Sequence, residues 1–192
     1  MASFLHRSPR GIIFAFLIVL LLVCFPATAR SAKLTNIVIT NSKDDLLISL
    51  KVEGAFAGEI KKAVDSGVPT TFSFFLSIEE VRRIWADKVI AEAALTHTIK
   101  YNNLKNEYRI ERSWEGGNPI QAFSFEEARK LMTEIQGFRL TTLDKLVKGR
   151  RYQLRAKAKL SKITLPFYFH YILLMASAWE FETDWYTIEF VY

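Results

Sequence analysis

Apolar and polar side chains take turns along most of this chain, and a period of two is the signature of strands with one wet face. Leu46, Ile48, Leu50 and Val52 alternate with Leu47, Ser49, Lys51 and Glu53. Phe72, Phe74, Leu76 and Ile78 alternate with Thr71, Ser73, Ser77 and Glu79, and the run from Val89 through His97 to Tyr101 repeats the pattern. Tyr108 and Ile110, then the segment 151–163, and finally Tyr186, Ile188 and Phe190 continue it. Parallel strands, covered on both faces, read as unbroken apolar runs, so this alternation calls for antiparallel pairing. Turn clusters at Asn41–Asp45, Asn102–Asn103 and Gly116–Pro119 separate the runs.

Two segments change to helical spacing. Phe56, Ile60 and Val64 recur every four residues, with Gly67 placed as a C-terminal stop. Ser124 and Glu127 fit a capping box ahead of Phe125, Ala128, Leu131, Met132 and Ile135, and Gly137 is expected to end that helix. The expected fold is mainly β: an antiparallel β-sandwich, immunoglobulin-like or similar, with two or three short helices, preceded by a signal helix.

The signal helix is read from residues 1–29. His6, Arg7 and Arg10 precede a charge-free run of fifteen residues, Gly11 to Phe25, and Ala27-Thr28-Ala29 supplies an A-x-A cleavage site before Arg30. Crossing the hydrocarbon core takes about 20 apolar residues, so cleavage between Ala29 and Arg30 is favoured over anchoring by residues 11–25. Residues 30–192 then form a single exported domain in the periplasm or cell envelope. The one cysteine, Cys24, leaves with the signal, which excludes disulfides and thiolate chemistry from the mature domain.

Charge is unevenly spread over that domain. It holds 24 basic and 20 acidic residues, a net of +4, yet Lys145 to Lys162 contains eight basic residues and no acid. On the strand inside this segment Arg151, Arg155, Lys157 and Lys159 share one face, opposite Tyr152, Leu154, Ala156, Ala158 and Leu160. Like charges side by side repel, so an acidic ligand such as a phosphate, a lipid headgroup or an anionic glycan is one reading of the stripe. Protection of a sheet edge, with an acid on the neighbouring strand, is the plainer one. Nucleic acid fits poorly, because the stretch lacks interleaved stacking aromatics. The apolar stretch Leu165 to Ala178 reads as core, or as an interfacial segment beside the basic strand.

No reaction is spelled out. His97 and His170 lack any metal-ligand spacing, no metal or cofactor is expected, and His97 on an apolar face reads as a core histidine. Nucleophile elbows and phosphate loops are missing, and the pairs Glu79–Glu80 and Glu126–Glu127 read as solvated charges.

An aromatic framework carries one resemblance: Trp85-Ala86-Asp87-Lys88, Ile99-Lys100-Tyr101-Asn102-Asn103-Leu104 with Tyr108, and Trp179 followed by Asp184-Trp185-Tyr186. On these residues the chain resembles an uncharacterised bacterial exported family, domain of unknown function 4390, over nearly the whole mature domain. The resemblance brings no catalytic residues, and the framework reads as structural, each ring giving buried area and a polar tether. It implies a neighbouring partner, an inner-membrane sensor kinase, and a role in envelope sensing. The expected function is an exported, non-enzymatic accessory or ligand-sensing module that meets an anionic lipid, a glycan or a membrane protein. An envelope hydrolase with an unrecognised site and a structural assembly subunit are the alternatives.

Overall fold

The computed structural model describes residues 32–56, 58–160 and 182–192. The signal segment 1–29, the Ala29–Arg30 junction, the run 11–25, Leu165–Ala178, His170 and Trp179 lie outside the described residues. Ser31–Tyr192 cluster as one compact unit.

Among the described residues, alternation becomes strand wherever the period of two was read. The hairpin β1 (Lys33–Ser42) and β2 (Asp45–Glu53) is followed by α1 (Gly58–Asp65), β3 (Thr70–Glu80), β4 (Lys88–Asn102), β5 (Glu107–Arg112) and β6 (Ile120–Ala122). Then come α2 (Phe125–Thr133), β7 (Glu134–Thr142), a 3-10 turn (Leu143–Lys145), β8 (Arg151–Leu160) and β9 (Tyr186–Val191). Two sheets result, ordered β1-β2-β7 and β6-β5-β4-β3-β8-β9, and every neighbouring pair is antiparallel. Their inner faces share one apolar cluster. Ile48, Leu50 and Val52 from β2 join Phe72, Phe74, Leu76 and Ile78 from β3 and Tyr152, Leu154 and Ala156 from β8. Each large side chain removed from water in this way contributes about 1.5–3 kcal/mol before entropy is charged against it.

Both helices close the core and stop for local reasons. Gly67, at φ +81, donates its N–H to the Val64 carbonyl, while Val68 reaches the Ala63 carbonyl, a Schellman ending of α1. At α2 the Ser124 hydroxyl accepts from the Glu127 N–H as read, and the Glu127 carboxylate reaches back to Phe123 N–H (3.2 Å), one residue beyond the usual box.

Gly137 does not end α2. That helix gives way to β7 at Glu134, and Gly137 lies inside the strand at φ +61, donating to Ser49 Oγ (2.9 Å) where the β2–β7 register slips between Ile48 and Leu50. The bulge explains why β7 escapes a search for alternation: an extra residue throws Ile135 and Leu140 out of phase.

Candidate functional site

The basic stripe stands on the outer face of the six-stranded sheet. Burial along β8 alternates strictly, with Tyr152, Leu154, Ala156, Ala158 and Leu160 inward and Arg151, Gln153, Arg155, Lys157 and Lys159 outward. β8 lies between β3 and β9, so protecting an edge is not its task; among the described residues the edges of this sheet are β6 and β9.

Three of the four cations meet acids. The register sets Ser77 opposite Arg155 and Glu79 opposite Gln153, and Arg155 Nη1 lies 3.3 Å from Glu79 Oε1. Glu182, bridged to Lys159 across the sheet, takes both Lys157 and Lys159 (3.2 Å to the latter), and these two ammonium groups hold its carboxyl below the usual carboxylate range. Arg151 has no ion-pair partner among the described residues.

Glu79 is therefore not the solvated charge it resembles in sequence. It is only 8% exposed, at the bulge where β3 leaves register with β4. One carboxylate oxygen accepts from Ser77 Oγ (3.1 Å) and Arg155, the other from Gln153 Nε2 (2.8 Å). Gln153 also donates to Asp87 Oδ2 (2.9 Å), whose other oxygen accepts from the Arg82 backbone N–H (2.9 Å). Glu80 pairs instead with Arg150 (3.0 Å).

Aromatic surface completes the face. The Trp185 ring lies beneath Arg155 (4.8 Å) and Lys157 (5.4 Å), a pair of cation–π contacts that holds it in place while leaving it 45% exposed. Phe75 stands exposed beside it. Together they border an open hollow of about 370 Å³ whose polar lining is Ser77, Glu79, Glu92 and Arg155. The residues missed from sequence are Glu79, Gln153 and Trp185. The signal that finds them is the β3–β8 pairing, which no local pattern carries.

His97 takes no part. Its ring is sandwiched between Phe74 (4.8 Å) and Trp114 (4.6 Å), Nδ1 donates to the Met132 carbonyl (2.9 Å), and Nε2 is buried without a partner. Burial lowers its pKa to about 4; the Met132 hydrogen bond opposes that shift and the Arg112 guanidinium adds to it. It is a core histidine, neutral at physiological pH. Among the described residues no group of three His, Cys, Asp or Glu stands close enough to hold a metal, and no helix is long and apolar enough to cross a membrane.

The aromatic framework divides in two. Tyr101 and Tyr108 pack ring to ring (4.6 Å) and are tethered to Asn106 (3.2 Å) and Asp65 (2.8 Å), and burial with the Asp65 bond pushes the Tyr108 hydroxyl up to about 12. Asn102 caps the turn that follows, accepting from Leu104 and Lys105 N–H. Those residues are structural, as expected. Trp85, 78% exposed, and Trp185 are not, because neither ring enters the core. The framework now has a family behind it: the model of a domain of unknown function, DUF4390, matches residues 29–189. The chain belongs to the DUF4390 family. That match runs from before β1 into β9. No curated protein and no solved structure matches the chain.

Proposed function

We propose that this protein is an exported, non-enzymatic accessory or ligand-sensing module of the bacterial cell envelope, and that its outer β3–β8 face holds a glycan. One observation carries the reading: Trp185 is fixed by two cations yet left open to solvent, beside Phe75 and a hollow lined by hydrogen-bonding side chains. A few oriented polar groups around apolar surface are what a small-ligand site requires. A sugar ring matches it, with C–H groups against Trp185 and Phe75 and hydroxyls toward Ser77, Glu79 and Glu92. A simple anion is less favoured, since Arg155, Lys157 and Lys159 are each already paired with Glu79 or Glu182, which would have to be displaced. Residues 1–29 support export, and a membrane sensor protein is the partner class that would use such a module.

The test is calorimetric titration with a neutral N-acetylglucosamine tetramer and with alginate as the acidic counterpart. The expected result is saturable binding of the neutral sugar, weakened about tenfold or more in Trp185→Ala, in line with the loss of one aromatic contact and its buried area. Tighter binding of alginate, abolished by charge reversal at Arg155 and Lys157, would restore the anion reading. Failure of both probes to saturate, or indifference to Trp185→Ala, would remove the site. Shortened oligomers in the mixture would replace binding with hydrolysis.

A further inference from the structure

A second surface, at one end of the sandwich, does not depend on the glycan reading. Residues 81–87, which join β3 to β4, emerge where β8 begins and β9 ends. Val81 N–H donates to the Arg151 carbonyl (3.0 Å), Tyr192 N–H to the Arg150 carbonyl (3.2 Å), and Val147 N–H to the Tyr152 hydroxyl (2.8 Å). The connection before β8 and the end of β9 therefore share this end with the β3–β4 loop.

Apolar side chains are concentrated there and left in water. Ile84 is 88% exposed, and Trp85, Val89, Val147 and Val191 are exposed with it. Isolated surface hydrophobes need no explanation, but several at one end, two of them adjacent at a loop tip, mark a contact surface. Tryptophan is the side chain most at home where water meets lipid, with an apolar body and one N–H donor.

Cations surround this tip. Arg82, Arg83, Lys88 and Arg151 are exposed and have no ion-pair partner among the described residues. Of the acids near them, Glu80 pairs with Arg150, Asp87 accepts from Arg82 N–H and Gln153, and Glu189 stands opposite Gln153 on β9. Asp44 and Asp144 lie toward the three-stranded sheet, beside Lys43 and Lys145. An apolar tip inside a ring of unpaired cations complements a surface that is oily below and negative above. We propose that this end docks on an anionic phospholipid bilayer, Ile84 and Trp85 entering the boundary between headgroups and acyl chains while Arg82, Arg83, Lys88 and Arg151 meet lipid phosphates. Arg151, the end residue of the outward stripe on β8, thus belongs to the docking end as well. A protein partner is less favoured, because a protruding loop tip presents a point and not the flat patch of a standard interface.

The experiment measures depth, so the apolar run 11–25 may stay in place. In the full chain carrying Cys24→Ser, a nitroxide is attached through Ile84→Cys or, at the far end of β4, through Leu104→Cys, which is 96% exposed. Vesicles are of equimolar phosphatidylglycerol and phosphatidylcholine, or of phosphatidylcholine alone. The label at 84 is expected to gain oxygen collisions and lose those with a water-soluble nickel chelate on the anionic vesicles, while the label at 104 stays aqueous. Adding Arg82→Glu and Arg83→Glu should weaken that insertion about tenfold or more, given the attraction each cation feels near such a surface. Trp185→Ala should leave it unchanged, which separates this surface from the glycan face. A label at 84 as wet as that at 104, equal insertion into neutral vesicles, or immobilisation only by an added envelope protein fraction would each overturn the proposal.

Discussion

The two faces of β8 come from alternate residues of a single ten-residue strand, yet different physics holds each. Inward, Tyr152, Leu154, Ala156, Ala158 and Leu160 join an apolar cluster in which any neighbour of suitable volume serves. Outward, Arg155, Lys157 and Lys159 depend on two particular carboxylates, Glu79 and Glu182. Apolar burial is large and indifferent to partner; exposed ion pairs are small and specific. A face that contributes little to stability is one that can be given to recognition.

The largest test of that contrast is Phe74→Ala on the inner face of β3. It should lower the unfolding free energy by about 4 kcal/mol, read from denaturant midpoints, since it removes a fully buried ring and leaves a cavity. A loss no larger than that from Glu79→Gln would erase the distinction between faces.

Acid should strike the inner face next, through His97. Its folded pKa, about 4, lies below the 6.5 of an unfolded histidine, so the unfolded chain binds the extra proton first. Stability is then whole above pH 6.5 and falls by about 1.4 kcal/mol per unit toward pH 4, about 3 kcal/mol in all. His97→Gln should flatten that slope in urea titrations between pH 4 and 6.5; an unchanged slope would mean that the imidazole takes up its proton without unfolding.

On the outer face Glu79→Gln should cost about 1 kcal/mol, discounted for the partial exposure of Arg155. A Glu79–Arg155 double-mutant cycle would isolate the pair. Smallest of all, Glu182→Gln should leave the thermal midpoint where it was while raising the mobility of Lys157 and Lys159 in side-chain NMR. A marked drop in that midpoint would make the outer face structural after all.

Sequence periodicity reached most of the fold. It placed β2, β3, β4 and β8 and the inward residue of nearly every pair, because the in-out pattern of a strand is written in its own residues. β7 escaped because Gly137 breaks the phase with a bulge whose partner, Ser49, is far away in the chain. The outer face was half legible. Its cations were visible as a stripe, but Glu79 passed for a solvated charge and Trp185 for a buried ring, since burial of an outward residue depends on what the next strand sets beside it.

The chain alone thus determined that it would build antiparallel layers and which side of each strand would be dry. Only the tertiary structure decided that β8 would pair with β3, in the register that sets Ser77 opposite Arg155 and Glu79 opposite Gln153, and that the β3–β4 loop would share an end with Arg151. The reason lies in the period itself. Sliding one strand past another by two residues keeps every apolar side chain inside, so alternation cannot say which acid will meet which cation.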